Sequence, residues 1–491
     1  MSTTPGPTGR WPDRPLPRLI QGGMGVAVSS WRLAREVTRT GQLGVVSGTA
    51  LEIFLARRLQ DGDHDRSIRR ALADFPYRGV AAEILERYFV LDGRAPDVPY
   101  VRTPRASLQP SADAQRLAVA AGFVEVHLAK QGHDGPVGIN LLEKIQMSTP
   151  AVLYGAMLAG VDVVLMGAGI PRHIPQLLDE LAAHHRGELT VDVLGAPEGS
   201  HRAVLDAAEI FDGTPPSLHR PAFVAIVSAD ILATHLARDD RTRPDGFVVE
   251  GPTAGGHNAP ARGRPVLDDL GQPVFGPRDE ADLERVAATG LPFWLAGGYG
   301  TPDGLARALA LGATGVQVGT AFALAAESSF APGLRAQALE QLGDGTLEVR
   351  TDPLVSPTGF PFKVAQLPGT LSDKALAESR IRPPCDLGYL RRPYVRPTGT
   401  VGYQCPAEPV DVYVRKGGTA EQAAGRGCLC NSLLAAVGLG QVRAEGAVEL
   451  PLVTLGTNLD GVRRLVQAHP GGWTARDVVQ WILAPSGAQA A

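Results

Sequence analysis

The segment EGPTAGGHNAPARG, residues 250–263, follows the apolar run FVV with one carboxylate, four glycines and a single histidine, His257. Glycine lets the main chain take positive φ or press against a flat or anionic ligand without a Cβ in the way. An imidazole that titrates near neutrality is the usual group for moving a proton, so His257 is the candidate acid, base or hydrogen-bond donor. The competing role is a ring that only satisfies hydrogen bonds within the fold. His133 and Lys144, in FVEVHLAKQGHDGPVGINLLEKIQ (residues 123–146), are secondary candidates for contact with a substrate or a phosphate.

A second set of reactive residues is the cysteines. Cys385, Cys405, Cys428 and Cys430 all fall within the last 107 residues, separated by 19 residues, then 22, then one. Grouped thiols can ligate zinc or an iron–sulfur cluster, form a redox pair, or simply pack. Cys428 and Cys430 open an apparent helix in GRGCLCNSLLAAVGL, where the helix dipole and Arg426 should lower a thiol pKa. The spacing matches no strong metal motif, so these alternatives stay open.

Elements that could position such residues recur along the chain. Short apolar runs end in glycine or polar residues at 19–23, 44–48, 137–140, 163–167, 190–195, 223–228, 247–251, 293–298 and 315–320, with helical patterns between them. Continuous apolar strands alternating with helices predict a parallel sheet covered on both sides. The fold class is therefore α/β, a (β/α)8 TIM barrel, with 190–195 as the one strand too many. In such a barrel the chemistry gathers on the loops at the carboxyl ends of the strands. The turns AGGYG (296–300) and GTAF (319–322) each lead into a predicted helix, PDGLARALA and AFALAAESS, and their free amides would cradle a phosphate.

Composition narrows the setting. With 44% hydrophobic and 20% charged residues and a net charge of −4, the chain has the make-up of a globular protein and no basic footprint for nucleic acid. AVLYGAMLAGVDVVLMGAGI, residues 151–170, has roughly the length of a membrane span, yet Asp162 and its glycines divide it into a helix from about Thr149 to Ala159 and a buried strand, Val163 to Met166. The N-terminal stretch has no apolar core like that of a secretory signal. The expectation is a cytoplasmic protein acting on a small molecule, without nucleic acid or membrane as partner, and possible as a homo-oligomer.

The order IQGGMG, VGIN, EGPTAGGH, LAGGYG, GVQVGTAF resembles the nitronate monooxygenase family, formerly the 2-nitropropane dioxygenases, and the related flavin-dependent enoyl reductases of fatty-acid and polyketide synthesis. The resemblance spans roughly residues 17–330. It implies a barrel that binds FMN without a covalent bond. On that resemblance Gly22, Gly23 and Met24 would lie against the isoalloxazine ring with Asn140 hydrogen-bonding nearby, and Gly256 beside the cofactor. Gly297, Gly298 and Gly300 would hold its phosphate, Gly319 and Thr320 would close that site, and His257 would stand over the ring.

The implied activity is oxidation of a nitronate or similar carbanion with O2. The alternatives are an enoyl reductase using NAD(P)H, and a non-catalytic flavin-binding or metal-sensing protein. The expected organisation is a flexible lead-in (1–16), an FMN-binding barrel (17–350) with an insertion at about 60–130, a linker (351–370), and a C-terminal four-cysteine module (371–491). The insertion's aromatic stretch, residues 74–100, could cap the flavin or serve as an oligomer contact, and the last residues, PSGAQAA, are expected to fray.

Overall fold

The computed structural model describes residue 11 and residues 15–380, 382–443 and 446–485. Its centre is a ring of eight short parallel strands. In chain order they are β1 (Leu19–Gln21), β2 (Gly44–Ser47), β3 (Val137–Leu142) and β4 (Val163–Gly167), then, after a hairpin of β5 (Gly187–Thr190) and β6 (Arg202–Leu205), β7 (Ala222–Val227), β8 (Gly246–Glu250), β9 (Phe293–Ala296) and β10 (Gly315–Val318). The sheet runs β1-β10-β9-β8-β7-β4-β3-β2. Main-chain bonds Gln21 N to Leu43 O (2.9 Å) and Leu43 N to Leu19 O (3.2 Å) close it, and Val45 N donates to the Gln21 side-chain oxygen at 3.0 Å.

This is the (β/α)8 barrel that the alternating pattern predicts. The surplus run 190–195 is not a barrel strand: only Thr190 falls in a strand, β5, which pairs antiparallel with β6 outside the ring, and Leu194 makes a lone bridge to Tyr394. The barrel interior is filled by Ile20, Val45, Val163, Leu165, Val224, Val248 and Trp294, all fully buried. Burying side chains of this size contributes roughly 1.5–3 kcal/mol each. Trp11 joins this interior cluster, its ring 5.5 Å from that of Trp294 and its indole N–H donating to Asp245 O at 3.0 Å. Of the lead-in expected at 1–16, residues 1–10 and 12–14 lie outside the described residues, as does most of the PSGAQAA tail, while Trp11 is packed.

The stretch 151–170 divides as expected, into the helix Thr149–Leu158 and β4. Among the described residues no helix is long and apolar enough to cross a membrane. The region 60–130 folds into the helices Ser67–Asp74 and Arg78–Tyr88, an extended stretch, and the long crossover helix Ala112–Ala129, capped by the Ser111 hydroxyl. Its aromatic residues are structural: Tyr77 stacks on Phe211 at 3.9 Å and Phe75 packs on Phe123 at 5.2 Å.

After β10 the helix Thr320–Ala323 is only four residues long, so the extended helical pattern read from AFALAAESS stops short. Residues 351–370 are largely an antiparallel hairpin, β11 (Val349–Asp352) with β12 (Phe362–Ala365), whose second strand also bridges His257. Beyond it come the hairpin β13 (Arg392–Val395) and β14 (Val401–Gln404), and the helices Leu429–Ala436, Asp460–Ala468 and Ala475–Leu483.

Candidate active site

A cavity of about 250 Å3 opens at the carboxyl ends of the barrel strands. Gly22, Gly23, Met24, Asn140, Gly256, His257, Gly297, Gly298, Gly300, Gly319 and Thr320 all line it. They stand on the loops after β1, β8, β9 and β10, with Asn140 inside β3 near its carboxyl end, as the strand-to-loop pattern requires. The first loop is held from below: Ser29 Oγ donates to Gly22 O and accepts from Met24 N, both at 2.9 Å, and Asn140 Nδ2 donates to Gly23 O at 3.0 Å.

Two polar atoms in the cavity wall, Asn140 Oδ1 and Gln317 Oε1, are buried without a protein hydrogen-bond partner. Because such an atom costs free energy unless something satisfies it, the pair marks where a ligand's donors would sit. After β9, Gly297 and Gly298 both take positive φ, +87° and +81°. A Cβ on Gly298 would come within 3.2 Å of Asn458 Nδ2. The turn then enters the nine-residue helix Pro302–Ala310, whose first turn is capped by Thr301 Oγ1, accepting from Gly304 N at 2.9 Å. Free amides at such a helix start suit an anion. The short helix after β10 offers less, and there the Thr320 hydroxyl accepts from Gly456 N at 2.9 Å.

His257 is fixed by the hairpin that follows the barrel. Its Nε2 lies 2.7 Å from Ser356 Oγ and 3.3 Å from Thr358 Oγ1, and its ring meets Phe362 edge-on at 4.8 Å. Lys363 N donates to Gly256 O and Asn258 N to Pro361 O, both at 2.9 Å. Arg426 pins the same hairpin by donating to Leu354 O and Ser356 O. The expectation of a ring titrating near neutrality is corrected: burial, and then the Lys144 ammonium, pull its pKa down to about 3, so the imidazole is neutral.

Lys144 lies near His257, over the Phe360 ring at 3.3 Å, with no hydrogen-bond partner for its buried Nζ, and burial lowers it to about 8. His133, the other secondary candidate, sits before the amino end of β3, with Nε2 2.7 Å from Ala129 O and Nδ1 accepting from Gly135 N. It is structural and remote from the cavity.

Several residues of the cavity were not singled out by the sequence reading. Glu250, at the end of β8, lines it, and burial pushes its carboxyl up to about 7. Its signal was visible, a charge at the end of an apolar run, as was that of Gln317, the one amide within GVQV. Thr454, Leu455, Gly456 and Asn458 complete the wall from the C-terminal region and carry no local signal. No residue of the insertion at 60–130 lines the cavity, so the capping role considered for its aromatic stretch is not seen.

The four cysteines, all unpaired, line one second, small cavity, and Cys430 faces the main cavity as well. Burial raises all four thiols, Cys385 to about 11, which corrects the expectation of a lowered pKa at the helix start. Arg426 is engaged with the hairpin carbonyls instead. Among the described residues no group of three or more His, Cys, Asp or Glu is placed to hold a metal ion, so no such grouping bears out the expectation of zinc or an iron–sulfur cluster.

Residues 217–352 match the family model for nitronate monooxygenase. A curated relative from Mycobacterium tuberculosis, (3aS,4S,5R,7aS)-5-hydroxy-7a-methyl-1-oxo-octahydro-1H-indene-4-carboxyl-CoA dehydrogenase, is 33% identical over 164 residues. That match covers 33% of this chain and 41% of the relative, so the chain spans less than half the length of the curated protein it matches. Among solved structures, FabK from Thermotoga maritima aligns over 95% of this chain and 91% of its own at 17% identity, with a TM-score of 0.47. Nitroalkane oxidase from Streptomyces ansochromogenes aligns over 96% and 95% at 15% identity and 0.46. The enoyl reductase domain of MlnA from Bacillus amyloliquefaciens aligns over 95% and 94% at 13% identity and 0.45. Similarities this low carry nothing about the chemistry. The resemblance read from the motifs agrees with the family match over 217–352.

Proposed function

We propose that this chain, similar to the nitronate monooxygenases over residues 217–352, is an FMN-dependent oxidoreductase that oxidises a nitronate or a similar carbanionic small molecule with O2. The observation that carries the reading is the convergence, on one cavity, of an anion-suited glycine turn, two orphaned amide oxygens and a neutral, fixed imidazole.

The residues present fit FMN. Gly297, Gly298 and Gly300, with Gly319 and Thr320, would take its phosphate at the start of the helix Pro302–Ala310. One of Asn140 Oδ1 and Gln317 Oε1 would accept from the single ring N–H of a flat isoalloxazine held against the loop Gly22–Met24 and the other from a hydroxyl of the cofactor's side chain, and a Cβ on Gly256 would meet only open space. When bound, FMN supplies a two-electron acceptor that O2 can reoxidise.

The protein's own contribution follows from charge. With His257 neutral and the Lys144 cation near it, behind the residues that line the cavity, the field at this corner favours a substrate that arrives already anionic, as a nitronate does, over one from which His257 must take a proton. His257 then serves as a positioned hydrogen-bonding group, and Glu250, whose carboxyl titrates near neutrality, is the residue suited to exchanging a proton with the substrate.

The test is anaerobic. The purified protein should be yellow, release FMN on denaturation, and bleach on addition of a nitronate before oxygen is admitted. Bleaching by NADH or NADPH alone would select the enoyl reductase chemistry, and a protein that holds no flavin would overturn the proposal.

A further inference from the structure

The four cysteines come from three separate segments: the loop before β13, the end of β14, and the start of the helix Leu429–Ala436. Nothing in the barrel chemistry requires them to meet, yet all four border one small cavity. The backbone amides of Gly388, Ala407, Asn431 and Leu390 favour the thiolate of Cys385, Cys405, Cys428 and Cys430 respectively, against the larger opposing effect of burial. The Asn431 side chain adds a second donor to Cys428 Sγ at 3.5 Å. An inert thiol packed as a small hydrophobe has no use for such donors, whereas a thiolate is stabilised by each of them.

The surroundings balance negative charge in the same sense. Arg391 lines the cavity, its guanidinium stacked on Tyr403 at 4.6 Å, and Cys428 caps the helix whose first turn carries Cys430. The acidic groups nearby are each paired with a cation: Glu408, which lines the cavity and accepts from Cys405 N at 2.7 Å, with Lys416, Asp386 with Arg443, and Glu449 with Arg380 and Arg443. A lone tetrahedral ion with bonds of about 2.3 Å would need its sulfurs about 3.8 Å apart. No such grouping exists among the described residues. A polynuclear core sets its ligands farther apart and takes four of them.

We propose that Cys385, Cys405, Cys428 and Cys430 are the ligands of an iron–sulfur cluster of the four-cysteine class, sharing the wall made by Leu390, Leu429 and Cys430 with the main cavity. Placing a preformed [2Fe–2S]2+ or [4Fe–4S]2+ core on the four thiols forms four Fe–S bonds and releases four protons to solvent. No oxidation state changes, and the site carries a net charge of −2. Cys430, which faces both cavities, puts that centre directly beside whatever occupies the barrel mouth.

The test does not depend on flavin or turnover. Full-length protein purified without oxygen, and incubated with iron, sulfide and a thiol, should hold about two or about four irons per chain with an equal amount of acid-labile sulfide. After reduction by dithionite it should give the electron paramagnetic resonance signal of a reduced cluster. Cys385→Ser combined with Cys405→Ser, two positions outside the main cavity, should lower both iron and sulfide to under about a tenth while circular dichroism stays the same. If that variant does not fold, the wild-type iron, sulfide and resonance measurements decide alone. Wild-type protein without iron and sulfide, zinc without sulfide, or iron retained in full by a folded double variant would each overturn the proposal.

Discussion

The ring nitrogen of His257 and the hydroxyl of Ser356 lie 2.7 Å apart across 99 residues of sequence. Ser356 is itself 2.8 Å from Thr358 Oγ1, so a pair of hydroxyls from the β11–β12 hairpin holds one edge of the imidazole. The hairpin thus sets the ring's orientation in a loop that would otherwise be free to turn.

Ser356→Ala should leave flavin bound and the fold unchanged but lower kcat by about fivefold, the worth of one positioning hydrogen bond. Ser356→Thr should restore most of the loss. Steady-state kinetics on the three proteins make the comparison, and an unchanged kcat in the alanine variant would mean that Thr358 and Phe362 hold the ring without Ser356.

His257→Ala removes the group itself. Turnover is expected to fall by about 10² or more with the flavin spectrum retained. Loss of flavin in place of turnover would assign the ring a purely structural role.

Glu250 titrates near 7 in the folded chain against an ordinary value of 4.5. Its folded pKa is raised, so its share of stability is fully present below about 4.5 and is lost as pH rises through about 7. Glu250→Gln should therefore raise Tm relative to wild type at pH 8 and change it little at pH 4.5. Thermal unfolding at the two pH values checks this, and equal shifts at both would show that the carboxyl is not desolvated.

Gly298→Ala places a side chain at φ +81° within 3.2 Å of Asn458, in the turn proposed for the phosphate. We expect FMN affinity to fall at least about tenfold. Gly312→Ala, at φ +83° in open space away from the cavity, is the control: it should cost similar backbone strain and leave the affinity alone. Flavin titration by fluorescence separates the two.

Trp11→Ala should cost about 3–5 kcal/mol of unfolding free energy, the usual loss for a large buried aromatic. Trp11 is only 8% exposed and packs on Trp294 inside the ring. Urea denaturation is the measurement.

The barrel was readable in the sequence because a strand buried on both faces must be apolar throughout, and runs such as VVLMG and FVAIVS could be little else. The cavity-lining residues after β1, β8, β9 and β10, and Asn140 inside β3, were readable for the same reason, since topology alone brings strand ends together. What could not be read was supplied from far along the chain. Ser356 and Asn458 sit in segments whose local pattern says only turn, and their role exists through contacts some 100–200 residues away. The lowered pKa of His257 is not legible in the sequence, because burial and the nearness of Lys144 are properties of the assembled pocket. The four cysteines were visible as a group, but their N–H donors depend on the turns around them.

One wall of the main cavity comes from Thr454 to Val462, tied to the barrel loops by Gly256 N to Thr454 Oγ1 and Thr457 N to Thr253 O. A ribosome delivers that stretch after all eight barrel strands. The ring can therefore assemble during synthesis while its mouth stays incomplete until nearly the whole chain has emerged. Retention of a cofactor becomes a late event, and a nascent chain stalled before residue 450 should have a barrel but no tight ligand site.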